Sequence, residues 1–392
     1  MPHIVFEDKK EIQFPKKVDD IEFIFEAVSK HESKILTKVG ELEFLLSKKE
    51  KSSKDGRCLH ILKSDKATRP SKAYVIKKAL TAFVDTYGVE PTFSNINNLK
   101  DYTKQSNTYL KEIDYFTNDF NTTKEVWVEI GFGSGRHLLH QAKKNPDILI
   151  IGLEIHTPSI EQVLRQIELQ EIENVLILNY DARLFLEFLN SNSVGKIFVH
   201  FPVPWEKKPH RRVYSKEFVD EALRVLALNG TLELRSDSKE YFDFSLGILT
   251  DLTQCHIEID INKDLEISSK YEDRWKKLGK NIYDLTLTNN ILSPSSQNES
   301  SFEFDSIDIN GLQEKLPTKS LVKDDYFVHF EKLYTITANS VLVEVTFGSF
   351  NKPLSKFILI ENSKARYLQG NPLITKANTK AHKTINEILK ND

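Results

Sequence analysis

The chain has 392 residues and a formal net charge of −3, with 54 Lys and Arg against 57 Asp and Glu. At about 150 residues per domain, this length predicts two or three domains and enough chain for a sizeable core. A hydrophobic content of 40% and a charged content of 28% are typical of globular proteins, which excludes collagen-like, coiled-coil and wholly disordered classes.

Cysteine content and the first residues indicate the compartment. Cys58 and Cys255 are the only cysteines, too few for a disulfide framework, and the histidines show no ligand spacing, so no metal site is predicted. The opening MPHIVFEDKK carries charges where a signal peptide needs an apolar core, and no apolar run approaches a membrane span. We therefore expect a cytoplasmic protein with no membrane partner.

Residues 1–123 predict an N-terminal extension that is β-rich and then basic and helical. Strand-like runs at 21–25 and 41–46 precede a segment from Lys48 to Lys78 with eleven Lys or Arg and three Asp or Glu. Because the whole chain is slightly acidic, nucleic-acid binding requires a local concentration of positive charge. This segment is one candidate, although a solvated lysine-rich loop is the simpler interpretation.

Residues 124–289 alternate between short β-branched or aromatic runs and helical stretches. The runs predict strands buried on both faces, at 125–130, 148–154, 175–180, 196–201 and 231–236. One predicted helix has Thr157 as N-cap and Pro158 in its first turn, and another ends at Gly230. Repeated strand–helix–strand units predict an α/β fold with a doubly wound, mostly parallel sheet that binds ligands at its carboxyl edge.

Residues 290–301 are polar and Ser-rich, which is typical of a linker. Alternating runs in residues 302–392 predict a C-terminal β-rich module that ends in a helix at 380–390. The two flanks share a strand-rich texture, so they either pack together or are distant repeats. No residue-level identity supports a repeat.

A glycine-rich loop at 129–136, EIGFGSGR, follows the first strand of the predicted sheet. Gly131 and Gly133 permit positive φ and let backbone N–H groups approach a ligand. A dinucleotide fingerprint requires Gly or Ala where this chain has Arg136 or Leu138, which argues against a hydride-transfer cofactor. A tight turn without a ligand is the alternative.

Three acidic residues, Glu129, Glu154 and Asp181, stand at or just after successive strand ends. A carboxylate at the second strand end can accept from both hydroxyls of a ribose. Any one of them is more often a cap or a solvated residue, and Asp181 in particular suits a helix cap. Around a glycine loop without a phosphate-binding lysine motif, the three favour S-adenosylmethionine over a pyrophosphate cofactor.

The fourth strand of the predicted sheet is followed by HFPVPWEKKPHRR at 200–212. Trp205 offers a flat surface, and every residue from Lys207 to Arg212 except Pro209 is basic or His. An aromatic side chain beside basic ones at a cofactor cleft predicts contact with nucleic acid, and we predict that the Lys48–Lys78 segment extends this surface. A solvated loop around a packed Trp is the alternative.

In these motifs the chain resembles the bacterial tRNA guanine-N7 methyltransferases. The likeness covers residues near 124–290 and rests on EIGFGSGRHL, IGLEIHTPSI, the Asp181-Ala182 pair, FPVPWEKKPHRR, RSD at 235–237 followed by Tyr241, and SKYE at 269–272 with Gly279 beyond. The resemblance implies a Rossmann-like class I methyltransferase domain with β-rich flanking regions. It also implies methyl transfer from S-adenosylmethionine to N7 of a guanine in the tRNA variable loop.

The resemblance further implies two groups of site residues. The cofactor would be held by Glu129, Gly131, Gly133, Glu154 and Asp181. The RNA would be bound by Lys207, Arg211, Arg212, Asp237, Ser269 and Glu272, of which Asp237 and Glu272 would act on the guanine.

Val203 departs from the family pattern, which usually has an Asp between the two prolines. Guanine N7 has a lone pair and no proton to remove, so the reaction needs alignment more than a general base. A carboxylate such as Asp237 or Glu272 can stabilise the cationic product. Val203 motivates one alternative, a catalytically silent RNA-binding protein on the same fold; methylation of a protein or small molecule is another. The sequence does not define the oligomeric state.

Overall fold

The computed structural model describes residues 1–7, 12–52, 58–70, 72–96, 107–267, 272, 274, 277–295 and 301–390. The chain divides into two compact units. Unit 1 combines Met1–Lys104 with Glu299–Asp392, and unit 2 is Gln105–Asn298. The two flanks, for which the sequence suggests separate regions, therefore belong to one unit.

The N-terminal part of unit 1 is a run of antiparallel strands with one helix packed on them. Its elements are β1 (His3–Glu7), β2 (Lys16–Val18), β3 (Ile21–Ser29), β4 (Glu32–Val39), β5 (Leu42–Ser52), β6 (Cys58–Ser64), α1 (Ala73–Tyr87) and β7 (Pro91–Ser94). The buried face of α1 includes Ile76, Leu80 and Phe83, which recur at helical spacing and pack against Phe6 and Phe23 of the strands.

The basic segment from Lys48 to Lys78 contains the end of β5, all of β6 and the start of α1, so its helical part is confined to the residues from Ala73 onward. β5 continues to Ser52, β6 pairs with it, and a helix begins only at Ala73. Long lysine side chains fit on a strand because their charged ends reach past the sheet to solvent or to a carboxylate on the next strand.

Unit 2 is built from alternating strands and helices. They are β8 (Leu110–Lys111), β9 (Val126–Ile130), α2 (Arg136–Lys144), β10 (Leu149–Leu153), α3 (Thr157–Leu169), β11 (Val175–Leu178), α4 (Ala182–Phe185), β12 (Val194–His200), α5 (Lys216–Val225), β13 (Leu226–Ser236), α6 (Lys239–Thr250), β14 (His256–Ile261) and β15 (Tyr283–Thr288). The sheet order is β14-β15-β13-β12-β9-β10-β11-β8. Strands β8 to β13 are parallel, and β14 and β15 are antiparallel. The predicted doubly wound, mostly parallel α/β sheet is confirmed.

Both faces of this sheet are apolar, which explains the nearly continuous apolar strands. On β9, Val128 and Ile130 pack in the core beneath α5 and α6, whereas Trp127 packs with α2 and α3. β8 pairs with β11, which brings the residues before 124 into unit 2 and places its start earlier than the sequence indicates.

Two predicted helix ends differ from the structure. Helix α5 ends at Val225, and Gly230 lies inside β13, because Leu226 already pairs with Val194 of β12. Helix α3 begins at Thr157 with His156 as its N-cap residue, so Thr157 is the first helical residue and not the cap.

The C-terminal part of unit 1 continues the sheet of the N-terminal part. Its elements are α7 (Leu312–Lys315), β16 (Leu321–Val322), β17 (Phe327–Thr337), β18 (Ser340–Gly348), β19 (Leu354–Glu361), β20 (Lys364–Tyr367) and α8 (Lys376–Leu389). The twelve-stranded sheet has the order β20-β19-β18-β17-β3-β4-β5-β6-β1-β7, with β2 paired to β3 and β16 to β17.

The two parts of unit 1 meet at the pairing of β3 with β17. Thr335 is in register with Val28 there. The Glu32 carboxylate accepts from Lys332 Nζ at 2.6 Å and from the Tyr334 hydroxyl at 2.7 Å. Strands about 300 residues apart in the chain thus share one sheet, which favours packing of the flanks over the repeat interpretation.

Candidate active site

The carboxyl edge of the unit 2 sheet collects most of the predicted site residues. The order of the strands reverses between β9 and β12, and in doubly wound sheets ligands bind at such a switch point. The glycine loop follows β9, Glu154 follows β10, Asp181 follows β11, the basic loop follows β12, and Asp237 follows β13.

The glycine loop has the backbone conformation that its sequence predicts. Gly131 and Gly133 have φ of +69° and +53°. A Cβ built on Gly131 would meet no atom within 4 Å, and one on Gly133 only the Gly131 carbonyl oxygen at 3.9 Å. By contrast, a Cβ on Gly135 would lie 2.4 Å from Val163 Cγ2. Gly135 therefore allows the loop to pack on α3, whereas Gly131 and Gly133 leave open space that suits a bound cofactor.

Glu154 joins the glycine loop to the start of α3. Its Oε2 accepts from the Gly133 N–H at 2.9 Å, and its Oε1 accepts from the N–H groups of Ile155 and His156 at 2.8 and 3.0 Å. Each carboxylate oxygen can accept two hydrogen bonds, so the group retains capacity for a ribose hydroxyl. The residue is well placed for the cofactor contact predicted for it.

Glu129 is buried and bound to a histidine that the sequence did not single out. Its Oε2 lies 2.8 Å from His137 Nδ1. Burial opposes protonation of His137, but the Glu129 carboxylate outweighs it and raises the pKa of that imidazole. In the sequence, His137 simply follows Arg136 at the end of the glycine-rich motif. No sequence pattern indicates that it binds Glu129.

His200, the last residue of β12, lies beside this pair, with its ring centroid 4.5 Å from that of His137. Burial, together with the charges of His137 and Arg235, holds the pKa of His200 well below its usual range, so its ring is neutral. The ring also lines a cavity of about 190 Å³ together with Lys196 and Glu233.

Asp181 acts as the N-cap of α4. Its Oδ1 accepts from the Arg183 N–H at 3.1 Å, and the Arg183 side chain donates to both of its oxygens at 3.0 and 2.6 Å. The capping role that the sequence offers as an alternative is therefore present in the fold. A cofactor contact from Asp181 stays a prediction.

Asp237 follows β13 and does not cap the next helix. The N-cap of α6 is Ser238, whose hydroxyl accepts from the Tyr241 N–H at 3.2 Å. Asp237 Oδ2 instead accepts from Lys280 Nζ at 2.8 Å. The side chain is partly exposed at the carboxyl edge of the sheet, and its contact with a substrate stays a prediction.

Glu272 is in a buried ion pair, which does not agree with its predicted contact to the guanine. The side chain is 2% exposed, and its Oε1 accepts from Arg235 Nη2 at 2.9 Å. Arg235 also donates to Asp284 Oδ1 at 2.5 Å and to the Lys263 carbonyl at 2.8 Å. Burial raises the pKa of Asp284 in spite of this guanidinium. Arg235 is visible in the RSD motif, but the sequence assigns a role only to Asp237 of that motif.

Ser269, the other residue predicted for the guanine seat, lies outside the described residues.

The loop after β12 presents exposed cations beside an exposed aromatic ring. Lys207, Lys208, Arg211 and Trp205 are all exposed, and the Arg211 guanidinium lies 5.2 Å from the centroid of the Trp205 ring. Val203, which stands where the family usually has Asp, is 62% exposed. The surface thus carries the mixed aromatic and basic character that favours RNA.

Arg212 differs from the other cations of this loop, and its predicted contact with RNA is corrected. It is 2% exposed. Its Nε donates to the Pro204 carbonyl at 2.8 Å, its Nη2 donates to Glu240 Oε1 at 2.6 Å, and its guanidinium lies 4.7 Å from the Phe244 ring centroid. A buried guanidinium with these partners is not available to a phosphate.

Comparison with known proteins assigns the chain to a family. A family described as "Putative methyltransferase" matches residues 123–285. A tRNA (guanine-N(7)-)-methyltransferase of Campylobacter fetus subsp. fetus is 42% identical, over 99% of each chain. Proteins of the same name from Wolinella succinogenes and Campylobacter jejuni subsp. jejuni are 41% and 40% identical, each over at least 99% of both chains. The chain belongs to the tRNA (guanine-N(7)-)-methyltransferase family.

These alignments include both flanks, so unit 1 is shared with the relatives. The chain is therefore an S-adenosylmethionine-dependent methyltransferase, and family membership disfavours the catalytically silent alternative. A solved rRNA methylase from Streptococcus thermophilus covers 46% of this chain and 94% of its own at 12% identity and a TM-score of 0.32, a weak likeness.

Across the described ranges, no helix is long and apolar enough to cross a membrane. The same residues contain no group of three or more His, Cys, Asp or Glu side chains arranged to hold a metal ion.

Proposed function

We propose that this protein transfers a methyl group from S-adenosylmethionine to N7 of a guanine in the tRNA variable loop. The observation that carries the proposal is the placement of an open glycine loop with Glu154 and of the exposed Trp205–Arg211 loop on one edge of the same sheet. The names of the full-length relatives specify tRNA and guanine N7, which agrees with this pairing of a cofactor cleft with a basic surface.

Residues of the glycine loop and the second strand end would hold the cofactor. Gly131 and Gly133 keep side chains out of the space above the loop, and Glu154 Oε2 can accept one further hydrogen bond from a ribose hydroxyl. Glu129 is fixed at the end of β9 by its hydrogen bond with His137. When bound, S-adenosylmethionine supplies an electrophilic methyl group on a sulfonium.

The chain's own contribution at the base is electrostatic. Guanine N7 carries a lone pair and no proton, and the ring becomes cationic as the methyl group arrives, so a nearby carboxylate lowers the barrier without removing a proton. Asp237 is a partly exposed carboxylate at this edge, and Lys280 holds it in place. Glu272 contributes at a distance, by fixing Arg235 and the end of β13.

The exposed loop would bind the RNA backbone and an unstacked base. Lys207, Lys208 and Arg211 offer cations for phosphates, and the Trp205 ring offers a stacking surface.

The test is methyl transfer from cofactor labelled in its methyl group to unmodified tRNA transcripts. We expect the label in tRNA, and strand cleavage chemistry specific for N7-methylguanine should map it to one variable-loop guanine. A transcript with that guanine changed to adenine is the matched control and should take up no label. Label in protein or metabolite fractions would contradict the proposal, and label at a guanine outside the variable loop would overturn the position.

Two variants separate the cofactor site from the base site. Glu154→Ala should raise the dissociation constant of the cofactor about tenfold, since a charge-assisted hydrogen bond contributes roughly 1.5–3 kcal/mol. Asp237→Asn should lower kcat while leaving that dissociation constant nearly unchanged. Calorimetric titration measures the first effect and single-turnover rates measure the second. Weaker cofactor binding in Asp237→Asn, with a lower kcat but unchanged cofactor binding in Glu154→Ala, would contradict the assignment.

A further inference from the structure

Arg212 forms a hydrogen bond within the basic loop and another that connects the loop to α6. Its Nε donates to the carbonyl of Pro204, eight residues back, at 2.8 Å. Its Nη2 donates to Glu240 Oε1 in the first turn of α6 at 2.6 Å. The guanidinium also lies over the rings of Tyr241 and Phe244, at 5.3 and 4.7 Å from their centroids. One buried side chain thus holds both ends of the segment from Pro204 to Arg212.

The backbone of this segment needs such support. Trp205 and Phe201 have φ of +44° and +49°, a conformation that bulky residues adopt only where the surroundings hold them. The Lys208 N–H donates to the Trp205 carbonyl at 2.8 Å, and the Phe201 N–H donates to the Arg235 carbonyl at 2.7 Å. The first bond closes the turn and the second joins the start of the loop to β13, whereas Arg212 joins the far end of the segment to α6.

We propose that Arg212, together with Glu240, is a positioning pair that holds Trp205, Lys207, Lys208 and Arg211 in the arrangement that binds RNA. The proposal rests on the proposed function, because the surface it arranges is the predicted tRNA-binding surface. Arg212 itself touches no phosphate, since it is buried. Glu240 belongs to the binding machinery although its charge has the wrong sign for contact with RNA.

The sign of the Glu240 charge gives a sharp test. Removal of a negative charge beside an RNA-binding surface should, by Coulomb attraction alone, tighten binding of tRNA. Removal of the group that holds Arg212 should instead weaken it, because the loop loses its arrangement. Glu240 is 58% exposed, so its replacement should leave the fold intact.

The experiment compares Glu240→Gln with Asp243→Asn in the full-length protein. Asp243 is on the same helix, is 52% exposed and pairs with Lys239 at 2.6 Å, so it matches Glu240 in charge and exposure but does not contact Arg212. We expect Glu240→Gln to raise the dissociation constant for tRNA about fivefold, because the neutral amide oxygen holds Arg212 less strongly than the carboxylate does. Asp243→Asn should leave it unchanged or lower it slightly. Tighter binding in both variants would overturn the proposal.

A readout without RNA separates this proposal from the proposed function. Release of the loop should speed tryptic cleavage between Lys207 and Lys208 in Glu240→Gln but not in Asp243→Asn, as mass spectrometry can follow. Failure of the parent protein to bind tRNA would overturn the proposed function, and faster cleavage in Glu240→Gln would still support loop closure by Arg212. If the parent binds tRNA and Glu240→Gln alters neither affinity nor cleavage, the positioning role is overturned.

Arg212→Lys distinguishes positioning from direct contact at the residue itself. Lysine keeps the charge but lacks the planar fork that reaches both Pro204 and Glu240, so a positioning role predicts a raised KM for tRNA with little change in kcat. A phosphate contact predicts near-parental binding for the same variant. In the double variant with Glu240→Gln, the effects should not add, because the two residues act as one unit. Additive effects would overturn the pairing.

Discussion

In the segment from Lys48 to Lys78 of unit 1, several cations are already paired with carboxylates of the fold, whereas the loop after β12 in unit 2 exposes Lys207, Lys208 and Arg211. Lys49 Nζ lies 2.5 Å from Glu32 Oε2, and Lys78 Nζ lies 2.7 Å from Asp20 Oδ2. The partners are on neighbouring strands or distant in the chain, so a count of lysines in a sequence window overestimates the positive potential that a surface presents.

The paired charges of unit 1 should stabilise the fold, and the exposed charges of unit 2 should bind RNA. Substitutions in the two regions are therefore expected to affect different measurements. A basic residue whose replacement changed both stability and salt-dependent tRNA binding would break the distinction.

The largest effect, on stability, is expected at Asp65, which lies in the basic segment and forms an ion pair with a buried lysine. Lys34 Nζ donates to Asp65 Oδ2 at 2.7 Å, and both side chains are buried. Asp65→Asn leaves this ammonium without its carboxylate and should lower the free energy of unfolding by about 3–5 kcal/mol. Asp85→Asn, an exposed position on α1, is the control and should change stability by less than about 0.5 kcal/mol. Equal midpoints in chemical denaturation would show that the buried pair contributes little.

The next effect concerns the exposed loop. The triple variant Lys207→Ala, Lys208→Ala, Arg211→Ala should weaken tRNA binding about a hundredfold and lower the log–log salt slope by about two, since each bound phosphate contributes roughly 0.7–0.9 to that slope. Filter binding at several salt concentrations measures both quantities. Cofactor affinity is the control and should not change. A parental salt slope would mean that these cations do not reach the RNA.

Local patterns in the sequence predicted the parallel sheet well. Runs such as 148–154 and 175–180 became β10 (Leu149–Leu153) and β11 (Val175–Leu178), because strands covered on both faces are apolar throughout. Single positive-φ positions such as Gly131 and Gly133 were also predictable from residue type. Such features depend on neighbours in the chain.

Features that depend on distant partners were not predictable. The pairing of β3 with β17 joins residues about 300 positions apart, and neither strand carries a signal for the other. Arg211 and Arg212 are identical in type and adjacent, yet one is exposed and the other buried, because only Arg212 meets Glu240 and Phe244. The same applies to Glu272, whose burial follows from its pairing with Arg235.

A smaller effect is expected at Glu32, the partner of Lys49. Burial disfavours the Glu32 carboxylate, but hydrogen bonds from Lys332, Lys49 and Tyr334 outweigh burial and lower its pKa from 4.5 to about 2. Its stabilising contribution is therefore present above pH about 4.5 and is lost as the pH falls toward 2. Between pH 7 and pH 3 this one group should account for about 2 kcal/mol of lost stability.

Denaturation of the parent protein and of Glu32→Gln over this pH range measures that contribution. The difference in free energy of unfolding between the parent and Glu32→Gln should shrink as the pH falls, because the parent loses the charge that the variant never had. Glu41→Gln removes an almost fully exposed carboxylate that lies 3.6 Å from Lys38 and should behave like the parent. If the difference in free energy of unfolding between the parent and Glu32→Gln does not change with pH, the acid-sensitive group is a residue other than Glu32.

The smallest effect concerns the cations of unit 1 that remain exposed. Lys78, at the end of the basic segment, is not among them, because its Nζ donates to both oxygens of Asp20 at 2.7 Å. The turn between β6 and α1 offers a better set, in which Lys66, Arg69 and Lys72 are exposed.

Reversal of Lys66, Arg69 and Lys72 to Glu should weaken tRNA binding by up to about tenfold if this segment extends the RNA surface, and should reduce the log–log salt slope by roughly 0.7–0.9 for each phosphate that is no longer bound. Lys78→Glu is the matched control, because it breaks the ion pair with Asp20 and should affect stability more than the salt slope. An unchanged slope in the triple variant would restrict RNA binding to the loop after β12, since the basic residues of unit 1 would then act only within their own fold.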